Sequence, residues 1–253
     1  MRITILGKSP SWQDVGGACT GYLVEGDSTR LLVDCGSGVF ARLREVTDHR
    51  ELDAIVVSHF HADHVLDLVP YAYAMTFSPL GPPPSRPELI VPAGGTEILH
   101  QLAGLWGPAE SIQEAFRITE YEPDDVVGAG EFTIRFQPVP HYVPTFAMDI
   151  RASEDGPRFT FGADCAPNEG LVEFARDTDL LFIEATLREP EEDEPRVHLT
   201  AIEAGEHARA AGARRVVITH ISDELDQELS RRQAEEALGA PVDLAEQGAV
   251  YEI

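Results

Sequence analysis

Short apolar runs that end in polar residues recur along the chain and predict buried strands. Residues 54–57 form an unbroken apolar run, as in a strand covered on both faces. Residues 216–219 form a second run of this kind, which leads directly into His220. Residues 132–136 alternate between apolar and polar side chains instead, a pattern typical of a half-buried strand. Polar residues that could take part in chemistry therefore emerge at the ends of these strands.

Helical patterns lie between the predicted strands. We expect helices at 39–47, at 65–75 with a break or kink at Pro70, at 96–106, from the capping box at Thr200 to Gly212, and near 224–238. Further strands are expected at 1–7, 89–91, 159–163 and 180–183, with a hairpin at 21–34 and two short strands after the last helix. Pro138 and Pro140 are expected to stop their strand from pairing further. The alternation of strands and helices predicts an α/β fold, and we expect a single domain over residues 1–253.

Histidine and aspartate cluster where the 54–57 strand ends, in the stretch His59-Phe60-His61-Ala62-Asp63-His64. Because side chains alternate along a strand, His59 and His61 project to the same side, while Asp63 and His64 lie where the chain turns into the next helix. Neutral imidazole suits zinc and other first-row metal ions, and a carboxylate adds the negative charge that such sites use. The spacing therefore predicts two adjacent metal pockets.

The charge of the chain narrows the choice of partners. Acidic residues outnumber basic ones by 44 to 19, which gives a formal net charge of −25. This argues against a long nucleic acid, because the phosphate backbone is bound by basic surfaces. A small anion is compatible, since two divalent ions would create a local positive spot inside the acidic protein.

Composition also bears on location. No apolar run approaches the ~18 residues that span a bilayer, and the amino-terminal apolar segment is too short for a signal peptide. We therefore expect a cytoplasmic protein without a membrane partner. The three cysteines form no CxxC motif and are expected to be reduced thiols.

Residues 59–64 resemble the HxHxDH signature of metallo-β-lactamase-fold hydrolases. The resemblance implies an αββα four-layer sandwich in which later strands deliver another His, an Asp and a final His; this sequence offers His141, Asp164 and His220. It implies one divalent ion held by His59, His61 and His141, a second held by Asp63, His64 and His220, and Asp164 as the bridge. Two such ions lower the pKa of a shared water toward ~7. Zinc is the leading expectation, with manganese or iron as alternatives.

Two later motifs indicate a branch of this family. His198-Leu199-Thr200-Ala201 is similar to the His-Ser-Thr-Ala motif of the ribonuclease Z branch, and Glu184-Ala185-Thr186 is similar to its His-Glu-Ala-Thr motif, with Ile183 in place of the first His. We expect His198 to protonate the leaving oxygen and Glu184 to orient it. The predicted catalytic residues are thus His198, Glu184 and Asp63. Asp34 is expected to form hydrogen bonds beneath the metal loop.

The number of residues between two of the candidate ligands limits the choice of substrate. Only 22 residues separate His141 from Asp164, too few for the long tRNA-binding arm of ribonuclease Z. Over nearly its whole length the chain resembles the compact bacterial phosphodiesterases of this branch, including the atypical class II cyclic-nucleotide phosphodiesterases of actinobacteria. The resemblance implies hydrolysis of a cyclic nucleotide, with 3′,5′-cAMP as the leading candidate, to the 5′-monophosphate, and it implies a homodimer.

Three alternatives stay open at this stage. The first is another phosphodiesterase, acting on a 2′,3′-cyclic phosphate or an RNA 3′ end. The second is an ester or lactone hydrolase, which has no evident need for the Glu184 and His198 pair. The third is a binding module whose metals are structural or absent. Residues predicted to lie outside the chemistry are the surface histidines His49, His100 and His207, the surface loop 78–85 and the solvated acidic loop 189–194.

Overall fold

Two seven-stranded sheets form the centre of the molecule, in a computed structural model that describes residues 1–81, 83–191 and 195–253. The first sheet contains β1 (Arg2–Gly7), β2 (Gly21–Glu25), β3 (Arg30–Val33), β4 (Ala54–Val56), β5 (Glu88–Pro92), β6 (Arg117–Tyr121) and β14 (Val250–Glu252), in the order β14-β1-β2-β3-β4-β5-β6. The second contains β7 (Val126–Ala129), β8 (Phe132–Val139), β9 (Thr145–Arg151), β10 (Arg158–Phe161), β11 (Leu180–Glu184), β12 (Val216–Thr219) and β13 (Asp243–Leu244), in the order β13-β12-β11-β10-β9-β8-β7.

Helices cover the outer face of each sheet. The first sheet is covered by α1 (Val39–Val46), α2 (Ala62–Val65), α3 (Leu68–Thr76), α4 (Gly95–Gly104) and α5 (Ser111–Ala115), and the second by α6 (Glu169–Phe174), α7 (Ala201–Ala211) and α8 (Gln227–Leu238). One apolar core lies between the sheets, and one lies under each helical layer. The predicted αββα four-layer sandwich is confirmed.

Burial along the elements follows the sequence pattern. Every residue of β4 and β12 is buried, whereas buried and exposed residues alternate over most of β8. The capping box of α7 is formed, because the Thr200 hydroxyl accepts the Glu203 N–H while the Glu203 carboxylate accepts the Thr200 N–H. Gly212 ends this helix with a left-handed φ of 68°.

Strand direction brings the polar strand ends together. Strands β3 to β6 run parallel to one another, as do β10 to β13. Strand β8 shares the direction of β10, because each is antiparallel to β9. The carboxyl ends of β8, β10, β11 and β12 therefore lie at one edge of the second sheet.

Two proline predictions were wrong in detail. The helix predicted at 65–75 breaks before Pro70, which instead lies in the first turn of α3, where its missing N–H leaves no helical hydrogen bond unmade. The eighth strand continues through Pro138 and Val139, which pair with Phe146 and Thr145 of β9, and it ends directly before Pro140, as predicted for that second proline. Proline is tolerated there because β7 pairs with β8 only as far as Arg135, so the far side of the strand needs no further donors.

Further predictions concerned three surface histidines, two surface loops and the absence of a membrane-spanning segment. The predicted surface histidines His49, His100 and His207 are partly exposed, and His49 also packs against Phe40 and Tyr71. The acidic loop includes residues 192–194 and the loop 78–85 includes residue 82, all outside the described residues. Within the described part of the chain, no helix is long and apolar enough to cross a bilayer.

A buried hydrogen bond joins the two sheets directly below the site, and we predict that it stabilises the fold. The Tyr22 hydroxyl lies 2.7 Å from the Thr219 hydroxyl, and both residues are fully buried. Tyr22→Phe should lower the free energy of unfolding by about 1 kcal/mol, because the Thr219 hydroxyl loses its buried partner. Urea denaturation measures this. Tyr142→Phe, at a residue that is 66% exposed, is the matched control and should change stability by less than ~0.5 kcal/mol. Equal stability of Tyr22→Phe and wild type would contradict the prediction.

Candidate metal centre and active site

All seven side chains predicted as metal ligands meet at one place in the structure. They form two groups of four that share Asp164, and within each group the ligand-type atoms lie within 4.8 Å of one another. The first group is His59, His61, His141 and Asp164; the second is Asp63, His64, Asp164 and His220. The residues come from the ends of β4, β8, β10 and β12 and from α2, so both sheets contribute.

Imidazole nitrogens face one another in the first group. His61 Nδ1 lies 3.1 Å from His59 Nε2 and 3.1 Å from His141 Nε2. Burial lowers the pKa of each of these three histidines, so the rings are neutral and carry lone pairs. Because neutral imidazole is the form that binds metal, this donor set fits a divalent cation.

Two carboxylates and two imidazoles make up the second group. His220 Nε2 lies 3.2 Å from both Asp63 Oδ2 and Asp164 Oδ2, and His64 Nε2 lies 3.4 Å from the same two oxygens. His64 Nε2 is buried, and no group in the described part of the chain forms a hydrogen bond with it. A buried nitrogen without a partner, directed at two carboxylates, fits a bound cation.

Electrostatics in the second group favour positive charge. Burial alone would lower the pKa of His64, but the Asp164 and Asp34 carboxylates outweigh it and raise this pKa well above its usual value. Burial alone would raise the pKa of Asp63, but the hydrogen bond from His220 and the nearby charges of His64 and His220 hold it well below its usual range. The carboxylates are therefore ionised, and the pocket attracts a cation.

A buried carboxylate orients the histidines of the first half. Asp34 accepts hydrogen bonds from the Ser58 N–H, the Ser58 hydroxyl and His64 Nδ1, each at 2.7 Å. Since the Ser58 hydroxyl donates to Asp34, it accepts from His59 Nδ1 at 3.0 Å. This pattern leaves the Nε2 atoms of His59 and His64 directed at the centre. The expected hydrogen bonding of Asp34 beneath the metal loop is confirmed.

A second buried carboxylate, Glu184, does the same in the other half. Its Oε1 atom accepts from His198 Nδ1 at 2.9 Å and from the Cys165 N–H at 2.7 Å. Its Oε2 atom accepts from the Thr186 hydroxyl at 2.6 Å and from the Leu199 N–H at 3.1 Å. The Thr186 hydroxyl in turn accepts from His220 Nδ1 at 2.8 Å. One carboxylate thus fixes the Asp164 loop, the His198 loop and the ring of His220.

His198 lies beside the two groups rather than within them. Its ring centre is 5.0 Å from that of His141 and 5.7 Å from that of His220, and its side chain is 17% exposed. Burial alone would lower its pKa, but the charge and hydrogen bond of Glu184 outweigh burial and raise the pKa of His198 to about 9. The imidazole is therefore held in its protonated form near neutral pH.

Strained backbone is concentrated at this edge of the sheets. Four non-glycine residues of the described chain have positive φ, and three of them are Asp34 (58°), Ala163 (53°) and His220 (52°), at or next to the site. Gly36 permits the close approach of the metal loop, because a Cβ there would lie 1.8 Å from the Asp63 carbonyl oxygen. These loops bring the polar groups to the site at a cost in local backbone free energy.

Sequence reasoning anticipated Asp34 and Glu184 but missed three other groups that orient the candidate ligands. It did not predict the Ser58 and Thr186 hydroxyls as links, nor the Val197 carbonyl, which accepts from His141 Nδ1 at 3.0 Å. Ser58 and Thr186 each lie next to a named motif, which is the signal that could have found them. Cys165 is buried and its thiol pKa is raised by that burial, and its contribution to the site is the backbone N–H given to Glu184.

Comparison with known proteins agrees with this geometry. The family described as "Beta-lactamase superfamily domain" matches residues 29–221. The chain belongs to the metallo-β-lactamase superfamily. It is 28% identical over 260 residues to the probable metallo-hydrolase YhfI of Bacillus subtilis, with 100% of both chains covered. The crystal structure of B. subtilis YhfI superimposes with a TM-score of 0.88 at 27% identity, over 99% of this chain and 98% of that one.

Two further proteins extend the comparison. Ribonuclease Z of Myxococcus xanthus is 29% identical over 306 residues, which cover 100% of this chain and 98% of that protein. The short form of human tRNase Z shares the fold, with a TM-score of 0.77 at 21% identity over 100% of this chain and 99% of that one. The chain is thus a metal-dependent hydrolase of the metallo-β-lactamase superfamily, and its His and Asp clusters are suited to bind a divalent metal ion.

Asp34→Asn removes a buried charge but substitutes no candidate ligand, and we expect it to weaken metal binding. In Asp34→Asn an amide replaces one acceptor oxygen, so Ser58 and His64 lose part of their orientation, and zinc affinity should fall about 10–100-fold. Asp53→Asn is the matched control: Asp53 accepts the Arg30 N–H at the opposite ends of the paired strands β3 and β4. Zinc titration of the dialysed proteins measures both. Wild-type affinity in Asp34→Asn would show that the carboxylate does not orient the ligands.

Proposed function

We propose that this protein is a phosphodiesterase that uses two divalent ions to hydrolyse a cyclic nucleotide, with 3′,5′-cAMP as the leading candidate, to the 5′-monophosphate. The observation that carries the proposal is the position of His198. Its protonated ring is fixed by Glu184 and lies directly beside both groups of candidate ligands. A metal site with an adjacent proton donor is suited to a reaction whose leaving oxygen needs a proton.

The candidate ligands divide between the two ions. His59, His61 and His141 would hold one ion and Asp63, His64 and His220 the other, with Asp164 between them. Zinc is our first choice because imidazole and carboxylate suit it, and manganese or iron would also accept this set. Bound ions of this kind lower the pKa of water toward ~7 and stabilise negative charge on phosphoryl oxygens.

The protein's own groups would supply the remaining step. Glu184 accepts the His198 Nδ1 hydrogen, so the proton to be transferred resides on Nε2. The 3′ oxygen of a cyclic nucleotide leaves as an alkoxide, which is a poor leaving group unless it is protonated. His198 would donate that proton, and Glu184 would stabilise the positive charge on the ring before the transfer. Asp63 would contribute as a ligand and through its charge.

Charge around the site supports a small substrate. The loops after β11 and β12 lie at the same sheet edge as His220, and their exposed residues include Glu189, Asp223, Glu224 and Asp226. Together with the net charge of −25, these carboxylates repel the many phosphates of a long RNA. A cyclic nucleotide carries a single negative charge and is repelled far less. The proposal includes a homodimer and a cytoplasmic location.

One alternative has specific support. The M. xanthus relative, matched over the full length of this chain, is named ribonuclease Z. A phosphodiesterase acting on an RNA 3′ end or on a 2′,3′-cyclic phosphate would use the same metal groups and the same proton donor. The alternatives therefore differ in substrate, not in the chemistry of the centre.

A substrate panel on metal-analysed protein tests the proposal. We expect two divalent ions per chain, and we expect 3′,5′-cAMP to be hydrolysed to 5′-AMP faster than 2′,3′-cyclic nucleotides or a tRNA precursor. Chelation should abolish turnover, and added zinc or manganese should restore it. His59→Ala is the control for contaminating activity. If cAMP turnover equals that of His59→Ala while the tRNA precursor is cut, the ribonuclease Z-like alternative is correct and the cyclic-nucleotide proposal fails.

The role of His198 can be separated from metal binding by changing the leaving group. His198→Ala should reduce cAMP turnover about 10²–10⁴-fold, because the alkoxide then leaves without a proton donor. A p-nitrophenyl phosphodiester should lose far less, because its phenolate leaves without protonation. His100→Ala, at a half-buried histidine on α4, is the control and should retain both activities. Equal losses on the two substrates would exclude His198 as the proton donor.

A further inference from the structure

The backbone that follows His220 is held by contacts other than those of the candidate metal ligands. His220 has a left-handed φ of 52°, a conformation that a side-chain-bearing residue adopts only when its surroundings impose it. Thr186 contacts the His220 ring, and its hydroxyl also lies 3.0 Å from the His220 carbonyl oxygen. The next residues, Ile221 to Asp223, lie beyond the reach of these contacts.

Lys8 contacts this segment from the other sheet. It is the only lysine among the 253 residues and is 11% exposed. Its Nζ donates to the Ile221 carbonyl oxygen at 2.7 Å and forms an ion pair with Asp14. Asp14 Oδ1 accepts the Asp223 N–H at 3.0 Å. The Lys8–Asp14 pair therefore holds the backbone of both residues that flank Ser222.

Lys8 is itself firmly placed. It follows β1 directly, and its backbone N–H donates to the Ala18 carbonyl oxygen at 3.0 Å. Gly7, just before it, packs so closely that a Cβ would lie 1.9 Å from the Cys19 carbonyl oxygen. A second hydrogen bond joins the residues after β1 to Asp223, in which the Val15 N–H donates to Asp223 Oδ2 at 3.0 Å. The end of the first strand is thus a fixed support for the His220 loop.

We propose that Lys8 and Asp14 are positioning residues for His220 and so set the affinity of the Asp63, His64, Asp164 and His220 group for its divalent ion. This inference rests on the proposed role of His220 as a ligand. The two charges are nearly buried and form contacts with each other and with the loop, so the loss of one would leave the other without its partner. The Ile221 carbonyl would lose the shorter of its two side-chain hydrogen bonds and keep only the one from Gln227 Nε2 at 3.4 Å, so the left-handed turn at His220 would be less firmly held.

A zinc titration in two ligand-deficient backgrounds tests the assignment. In His61→Ala, where the second group is intact, adding Lys8→Met should weaken zinc binding about 10–100-fold. In His220→Ala, where the second group is already impaired, adding Lys8→Met should leave the remaining zinc affinity within about twofold. A purely structural role of Lys8 would change both affinities alike.

Two further variants serve as controls. Lys8→Arg retains a cationic donor and should restore most of the affinity lost in Lys8→Met. Arg2→Met removes a cation from the opposite end of the same strand, where Arg2 pairs with Glu25 at 2.7 Å, and should not alter zinc binding. Thermal unfolding of each metal-free protein shows whether the variants fold as the wild type does.

The outcomes separate this inference from the proposed function. Unchanged zinc affinity on adding Lys8→Met to His61→Ala, or equal weakening in both backgrounds, would overturn the positioning role. Failure of the wild type to hydrolyse cAMP would end the proposed substrate and leave the zinc comparison intact. A wild type that binds fewer than two zinc ions would overturn the inference and the two-ion proposal together.

Discussion

Two buried carboxylates, Asp34 and Glu184, determine how the candidate metal centre is built. Each lies behind the ligands, is almost fully buried, and accepts hydrogen bonds from several segments of the chain. Each also works through a hydroxyl, Ser58 in one half and Thr186 in the other. A buried carboxylate without such donors would be costly, so burial and ligand orientation depend on each other. In each half of the sandwich, a buried carboxylate and a hydroxyl thus orient the candidate ligands.

The same arrangement would reconcile a strongly acidic protein with the proposed anionic substrate. The first group consists of three neutral imidazoles and the shared, ionised Asp164, whereas the second group adds the ionised Asp63. Divalent ions would neutralise these carboxylates and leave excess positive charge only where the phosphoryl group binds. The acidic exterior would then limit the length of the substrate, while the centre would bind its phosphate.

Much of the centre was predictable because its ligands lie at the ends of recognisable strands. The spacing from His59 to His64 indicated a metal site directly, and the family resemblance added His141, Asp164 and His220 at the ends of later strands. The roles of Asp34 and Glu184 were expected, but other supporting contacts were not predictable, since Thr186 bonds His220 across 34 positions and Lys8 bonds Ile221 across 213 positions. Such pairs depend on how the sheets pack. The proline predictions failed for a related reason: tolerance of Pro138 depends on where the neighbouring strand ends, and that of Pro70 on where its helix begins.

The central claim is that seven side chains bind two divalent ions that share Asp164. Anomalous diffraction from crystals of the zinc-loaded protein, recorded on both sides of the zinc edge, tests it most directly. The account predicts two peaks, ~3.5–4 Å apart, one among His59, His61 and His141 and the other among Asp63, His64 and His220, with Asp164 contacting both. A single peak, or zinc bound away from these residues, would contradict it.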